Sequence, residues 1–195
     1  PRTEVATSFG GYNERRGDAT ADAALAWLTA RDRARPFFAW VHFFDAHDPY
    51  VPPAPFDAQF RGREYDGEIA YMDSEIGRLL QALPADTVVA AVGDHGEMLG
   101  EHGELSHGLL PFAGARRVPL LLAGPGVPAA RTERCLARTV DLAPTLLALA
   151  GVTPPAGLDG SALLGPGAAA LPAGADPCAG PRALSYTESF LPFFA

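Results

Sequence analysis

The apolar run Thr87-Val88-Val89-Ala90-Ala91-Val92 is followed at once by Gly93-Asp94-His95-Gly96. A run this short, rich in β-branched residues and bounded by glycine, reads as a buried strand. A strand ending in Gly-Asp-His-Gly delivers hard and borderline metal ligands to the edge of a sheet, where ligand crevices lie. Residues 93 to 108, GDHGEMLGEHGELSHG, hold three histidines and four acidic residues in sixteen positions. A solvated surface loop accounts for any one of these side chains. The whole cluster points instead to a metal or anion site, because Asp94 and His95 follow the β-run directly and Gly93 and Gly96 free the backbone around them. His102 and His107 stand where they could complete that site, orient it or contact substrate.

The rest of the chain alternates helical and β-like patterns. Residues 19 to 33 are alanine-rich, with Ala23, Leu25, Ala26, Trp27 and Leu28 as the expected buried stripe of a helix that Pro36 ends. Phe37 to Phe44 (FFAWVHFF) suits a buried strand with His42 packed inside it. Residues 45 to 60 carry Pro49, Pro52, Pro53 and Pro55 and must form an extended loop. Tyr65 to Leu83 places Ile69, Met72, Ile76, Leu79 and Leu80 at helical spacing. Arg117 to Ala123 reads as a further strand in which Pro119 implies an edge or a strand start. Val140 to Ala150 reads as a short helix with Asp141 and Pro144 in its first turn. The stretch 164 to 181 is biased in composition and reads as irregular surface, and a short strand is expected from Ala183 to Glu188. Helices alternating with β-runs argue for an α/β layered fold with a mostly parallel sheet sandwiched by helices. In such a doubly wound sheet, His47 of the loop HFFDAHDPY and the pair Asp94-His95 could face one crevice.

Bulk properties narrow the partners. An apolar fraction of 48% and a charged fraction of 19% in 195 residues fit a globular protein. The net charge of -8 leaves no basic footprint for nucleic acid. No apolar run reaches the length of a membrane span. Cys135 and Cys178 match no zinc spacing, although they could pair. The chain starts at Pro1 and stops at Ala195 just after an apolar run, so it reads as cut at both ends.

Five strings in collinear order carry a resemblance: FFAWVHFFDAHDPYVPP, YDGEIAYMDSEIGRLL, VVAAVGDHGEMLGEHGELSHG, RRVPLLLAGPGV and VDLAPTLLALAGVTPP followed by LDGSALL. Together they resemble the sulfatase family of the alkaline-phosphatase-like superfamily over roughly residues 36 to 164, and the closing YTES is similar to a later family segment. The resemblance implies that Asp94 and His95 are metal ligands. It implies that His47 contacts the ester oxygen and helps protonate the leaving group, and that His107 holds the sulfate. Arg117 matches a family arginine whose role reads as mainly structural. The implied cofactor is a divalent metal ion, Ca2+ for an all-oxygen shell or Mn2+ where His95 contributes, since an imidazole shifts preference toward transition metals. The implied substrate is a small-molecule or glycan sulfate ester.

The family's nucleophile is a formylglycine made from the Cys or Ser of a C/S-x-P-x-R motif, preceded by an Asp-Asp metal pair. Neither feature occurs before residue 36, and neither Cys135 nor Cys178 is followed by Pro and Arg at the needed spacing. Residues 1–164 therefore read as the C-terminal portion of a catalytic domain, incomplete and with little turnover expected by itself. Residues 165–195 read as a Pro/Gly/Ala-rich segment and the start of a following strand. A phosphoric or phosphonic monoester hydrolase of the same superfamily, and a non-catalytic truncated paralogue, are the alternatives. Related enzymes are often exported, which fits an extracytoplasmic location, periplasmic or secreted.

Overall fold

A computed structural model of the chain describes residues 7–9, 12–105, 107, 110–133, 135–165 and 185–187. The chain divides into two compact units, Pro1–Pro84 and Ala85–Ala195.

In the first unit, β1 (Thr7–Phe9) pairs antiparallel with β2 (Tyr12–Glu14). Three helices follow: α1 (Gly17–Ala30), α2 (Phe56–Gln59) and α3 (Glu64–Ala82). Gly17, Thr20 and Ala21 form the buried face of α1, whereas Ala23, Ala26 and Trp27 of the expected stripe are exposed. The reason lies in α3. The Tyr71 hydroxyl accepts a hydrogen bond from the Asp18 main-chain N–H at 2.7 Å, which satisfies one of the unpaired donors of the first turn of α1. Arg78 reaches Asp22 at 2.6 Å one turn further on. Only a small-residue face lets the two helices approach this closely.

Helix α3 has nearly the expected extent, but its buried face is turned by about a quarter of the helix circumference from the expected stripe. Gly67, Glu68, Tyr71, Glu75 and Leu79 are buried at three- and four-residue spacing. Of the expected apolar stripe only Leu79 is buried, while Ile69 and Leu80 are exposed. Two carboxylates can occupy the buried face because both have donors: Glu75 pairs with Arg78, and Glu68 accepts two main-chain N–H groups.

Phe37 to Phe44 joins no ladder and has no regular secondary structure, which corrects the expected strand. Phe38 and Trp40 are 78% and 83% exposed, and His42 is exposed rather than packed in a core. An apolar, β-branched run becomes a strand only when a neighbour takes its main-chain groups, and no described residue pairs with it.

The second unit contains β3 (Val89–Val92), a four-residue helix α4 (Ala113–Arg116), β4 (Leu120–Ala123) and α5 (Leu142–Leu149). A 3-10 turn, Thr139–Asp141, leads into α5. Strand β4 starts directly after Pro119, as the missing proline N–H requires. The pairing of β3 with β4 is antiparallel, from Val89↔Ala123 to Val92↔Leu120. The parallel pairing expected from sequence is therefore not the one formed by the described strands. Residues 93 to 119 return along the same edge with only short helical turns, and a parallel neighbour needs a full crossover. Of the expected closing strand, residues 185–187 form no ladder and Ala183, Leu184 and Glu188 lie outside the described residues. The stretch 164 to 181 lies almost wholly outside them as well. Cys135 is disulfide-bonded. No described helix is long and apolar enough to cross a membrane.

Asp141 organises this unit. Its side chain is fully buried. One oxygen accepts the Arg138 main-chain N–H at 3.0 Å and Nε at 3.1 Å; the other accepts Arg138 Nη2 at 2.8 Å and the Ser161 N–H at 2.9 Å. Thr145 continues the network, donating its hydroxyl to the Asp141 carbonyl at 2.6 Å and accepting the Leu163 N–H at 2.9 Å. The segment 158–163 is thereby tied to the start of α5. Burial alone would raise the Asp141 pKa, but the Arg138 side chain and the main-chain donors of Ser161 and Arg138 outweigh it and hold the carboxyl below its ordinary value. A depressed carboxyl pKa contributes stability that is present above the unfolded-state value and lost as pH falls through the folded-state value. Asp141→Asn should therefore cost about 3 kcal/mol in denaturant unfolding near neutral pH, the scale for breaking a buried ion pair. The difference from the parent should shrink as pH falls through the carboxylate range, and a constant difference would contradict this role.

Candidate active site

The loop leaving β3 is held at three points. The Gly93 N–H donates to the Pro119 carbonyl at 3.2 Å and extends the ladder by one bond. The Gly96 N–H donates to the Ala115 carbonyl on α4 at 2.6 Å, and Met98 is fully buried. A Cβ on Gly96 would lie 2.0 Å from the Gly114 carbonyl oxygen, so close approach of two backbones requires glycine there. The freedom expected of Gly93 and Gly96 is not used, because neither adopts a positive φ.

Between these anchors Asp94 and His95 are exposed. Asp94 Oδ1 accepts the His95 main-chain N–H at 2.9 Å. His95 Nδ1 lies 2.9 Å from the Gly96 carbonyl, which can only accept, so Nδ1 is the donor there and the neutral tautomer that fits has its lone pair on Nε2. Nε2 stands 3.8 Å from Asp94 Oδ2. A carboxylate oxygen and an imidazole nitrogen thus lie side by side at the exit of a strand. Among the described residues no three His, Cys, Asp or Glu side chains are grouped to hold a metal. Asp94 and His95 offer two donors of suitable chemistry.

His107 joins this pair. Its ring stacks on His95 with centroids 3.9 Å apart and planes at 26°. Its Nδ1 lies 3.1 and 3.2 Å from the two oxygens of Glu97, whose side chain is almost wholly buried. Glu97 is not among the site residues expected from the sequence. Its signal was present, since GDHGE puts an acidic residue three positions after Asp94 and ten before a histidine. His102 adopts a left-handed backbone, φ 57°, and stacks on Phe112 at 4.1 Å. Arg117 is exposed just beyond α4.

The first unit places His47 in the proline-rich loop. Its Nδ1 donates to the Asp48 carbonyl at 2.7 Å, and its ring lies 4.6 Å from that of Phe44. Its main-chain N–H donates to Glu68 Oε2 at 3.2 Å, while Val51 N–H donates to Oε1 at 2.7 Å. Tyr50 packs edge-on against Tyr65 at 5.2 Å. Burial raises the Glu68 pKa, the nearby charges of Asp45 and Glu14 add to the rise, and the Val51 and His47 donors oppose it. Asp45 is raised for the same first reason, and its buried Oδ2 has no hydrogen-bond partner among the described residues. Glu68 and Asp45 were both in plain view in the sequence, but nothing there distinguished them from solvated carboxylates. Asp94, His95 and His107 are thus brought together within the second unit, and His47 belongs to the first.

The chain is 38% identical over 96 residues to the choline-sulfatase of Rhizobium meliloti (strain 1021), covering 47% of this chain and 18% of that protein. It is 26% identical over 189 residues to an arylsulfatase of Clostridium perfringens (strain 13 / Type A), covering 72% of this chain and 39% of that protein. The solved structure of BT4656 in complex with its substrate D-glucosamine-2-N,6-O-disulfate aligns with a TM-score of 0.66 at 20% identity, over 78% of this chain and 52% of that one. The chain therefore spans less than two fifths of these two relatives and about half of the solved structure. The fold is the α/β, alkaline-phosphatase-like fold of the solved sulfatases, present here as an incomplete domain. The family model described as Sulfatase matches residues 4–152, and on that extent the chain belongs to the sulfatase family.

Proposed function

We propose that this chain is the C-terminal portion of a catalytic domain that hydrolyses sulfate monoesters. The observation that carries this reading is the paired donor set of Asp94 and His95, backed by the His107–Glu97 pair, in a chain of the sulfatase family. The sulfated sugar bound to BT4656 supports small-molecule and glycan sulfates as the substrate class.

Sulfate ester cleavage builds negative charge on the transferred group and on the leaving oxygen. Asp94 Oδ2 and His95 Nε2 would hold a divalent cation, Ca2+ or Mn2+, and its charge would stabilise the sulfate oxygens. The mixed oxygen and nitrogen set favours Mn2+. Two donors are fewer than a resident metal needs, so further ligands and the formylglycine nucleophile are assigned to the segment preceding this chain. His107 binds sulfate through its imidazole, and Glu97 fixes the proton on Nδ1 and the plane of the ring. His47, as the imidazolium, would give its Nε2 proton to the leaving oxygen and be left as the neutral ring, while its Nδ1–H stays bonded to the Asp48 carbonyl and orients it.

Asp94→Ala in the full-length protein should abolish metal retention, read by elemental analysis of the purified protein. It should also lower kcat/KM by more than the roughly 100-fold that loss of a supporting shell costs. Full metal occupancy in that variant would remove Asp94 as a ligand. His47→Ala should lower kcat by at least about 100-fold on alkyl and sugar sulfates with basic leaving oxygens, and much less on activated aryl sulfates. Equal losses on both classes would contradict the proton-donor role.

A further inference from the structure

We infer that Glu68 is a positioning residue for His47, through hydrogen bonds from one buried carboxylate to the main-chain N–H groups at the two ends of the loop His47–Val51. The inference rests on the reading of His47 as proton donor. Its basis is geometric. Glu68 is 6% exposed, on the inward face of α3 between Gly67 and Tyr71. Its Oε1 takes the Val51 N–H at 2.7 Å and its Oε2 takes the His47 N–H at 3.2 Å. The carboxylate therefore fixes the first and last residues of a five-residue turn, and Pro49 within that turn has no N–H to offer another partner.

Two orienting partners of the His47 ring belong to the same stretch of chain. Nδ1 donates to the carbonyl of Asp48, inside the clamped turn, and Phe44 lies against the ring three residues upstream. Moving the backbone at residue 47 would move that carbonyl, and with it the tautomer and the direction of the imidazole. The approach of α3 to the loop is also specific to its sequence. A Cβ on Gly67 would lie 2.9 Å from Pro52 Cγ, so a larger residue there would push the helix away from the loop that Glu68 holds.

A carboxylate is a costly acceptor to bury. Desolvation and the nearby acidic groups Asp45 and Glu14 disfavour its charge, and the two loop N–H groups oppose them. A neutral acceptor could hold one N–H at less cost, whereas two acceptor oxygens on one rigid plane are needed to hold both. The Glu68 side chain thus fits the task of fixing two points of one loop better than that of a generic buried group.

Glu68→Gln tests this with little change of shape, since the amide offers one acceptor and turns an NH2 toward the other loop N–H. In the full-length enzyme, kcat on an alkyl sulfate should fall by about 10- to 100-fold, with KM and the rate on an activated aryl sulfate nearly unchanged. In the double variant with His47→Ala, Glu68→Gln should add little to the loss from His47→Ala alone. Equal losses on both substrate classes, or losses that multiply in the double variant, would overturn the inference and leave Glu68 a purely structural residue. Amide hydrogen exchange on the same proteins, without substrate, gives a readout independent of turnover. Protection at His47 and Val51 should fall in Glu68→Gln while the amides of α3 stay protected, and unchanged protection at both residues would overturn the clamp. If the parent enzyme hydrolyses neither sulfate class, the proposed function fails on its own account, and the exchange at these two amides decides the clamp.

Discussion

A buried carboxylate that accepts main-chain N–H groups from a distant stretch of chain is the interaction on which each unit depends. In the first unit Glu68 ties α3 to the loop bearing His47. In the second, Asp141 ties the start of α5 to Arg138 and to the segment at Ser161. Among the described residues the buried hydrophobic side chains are few, and three of the six, Ala21, Ala115 and Ala148, are alanine beside Tyr71, Leu79 and Met98. Large apolar residues such as Phe38, Trp40 and Leu121 are exposed. With so little apolar area withdrawn from water in the described residues, loop geometry rests on hydrogen bonds whose loss would leave a buried charge unpaired. The two carboxylates resolve their burial differently. Asp141 has a guanidinium and stays readily ionised, whereas Glu68 has only amides and is pushed toward its neutral form.

Local patterns were legible in the sequence where local physics decides them. The 3.6-residue period of α3, the proline-ended start of β4 and the short β-run before Gly93 all map onto observed elements. The inward face of α3 was not legible, because hydrophobic periodicity assumes that carboxylates face water. Glu68 and Glu75 escape that rule only through partners, and the Glu68 partners lie 17 and 21 residues away in sequence. The run Phe37 to Phe44 failed for a related reason: strand propensity expresses a half-buried pleated surface, and here no described neighbour supplies one. The direction of the β3–β4 pairing depended on the absence of a crossover helix between residues 93 and 119, which the polar loop composition did not reveal.

The candidate site divides in the same way. Asp94, His95 and His107 were readable because they cluster behind one strand, and the structure places them within ring-stacking and ion-pairing distance of one another. Glu97, which fixes His107, and Glu68, which fixes the His47 loop, act through groups remote from the signal that drew attention to their partners. The residues named for chemistry were visible as residue types. Those that set the geometry became visible only through their hydrogen bonds.

The central claim is that these loops belong to an enzyme that attacks sulfate monoesters. The most direct measurement compares kcat/KM of the full-length, metal-loaded protein on matched aryl sulfate, aryl phosphate and phosphonate monoesters with the same leaving group. The sulfate ester should be the best of the three. A clear preference for the phosphate or phosphonate ester, or no turnover of the sulfate at all, would contradict it.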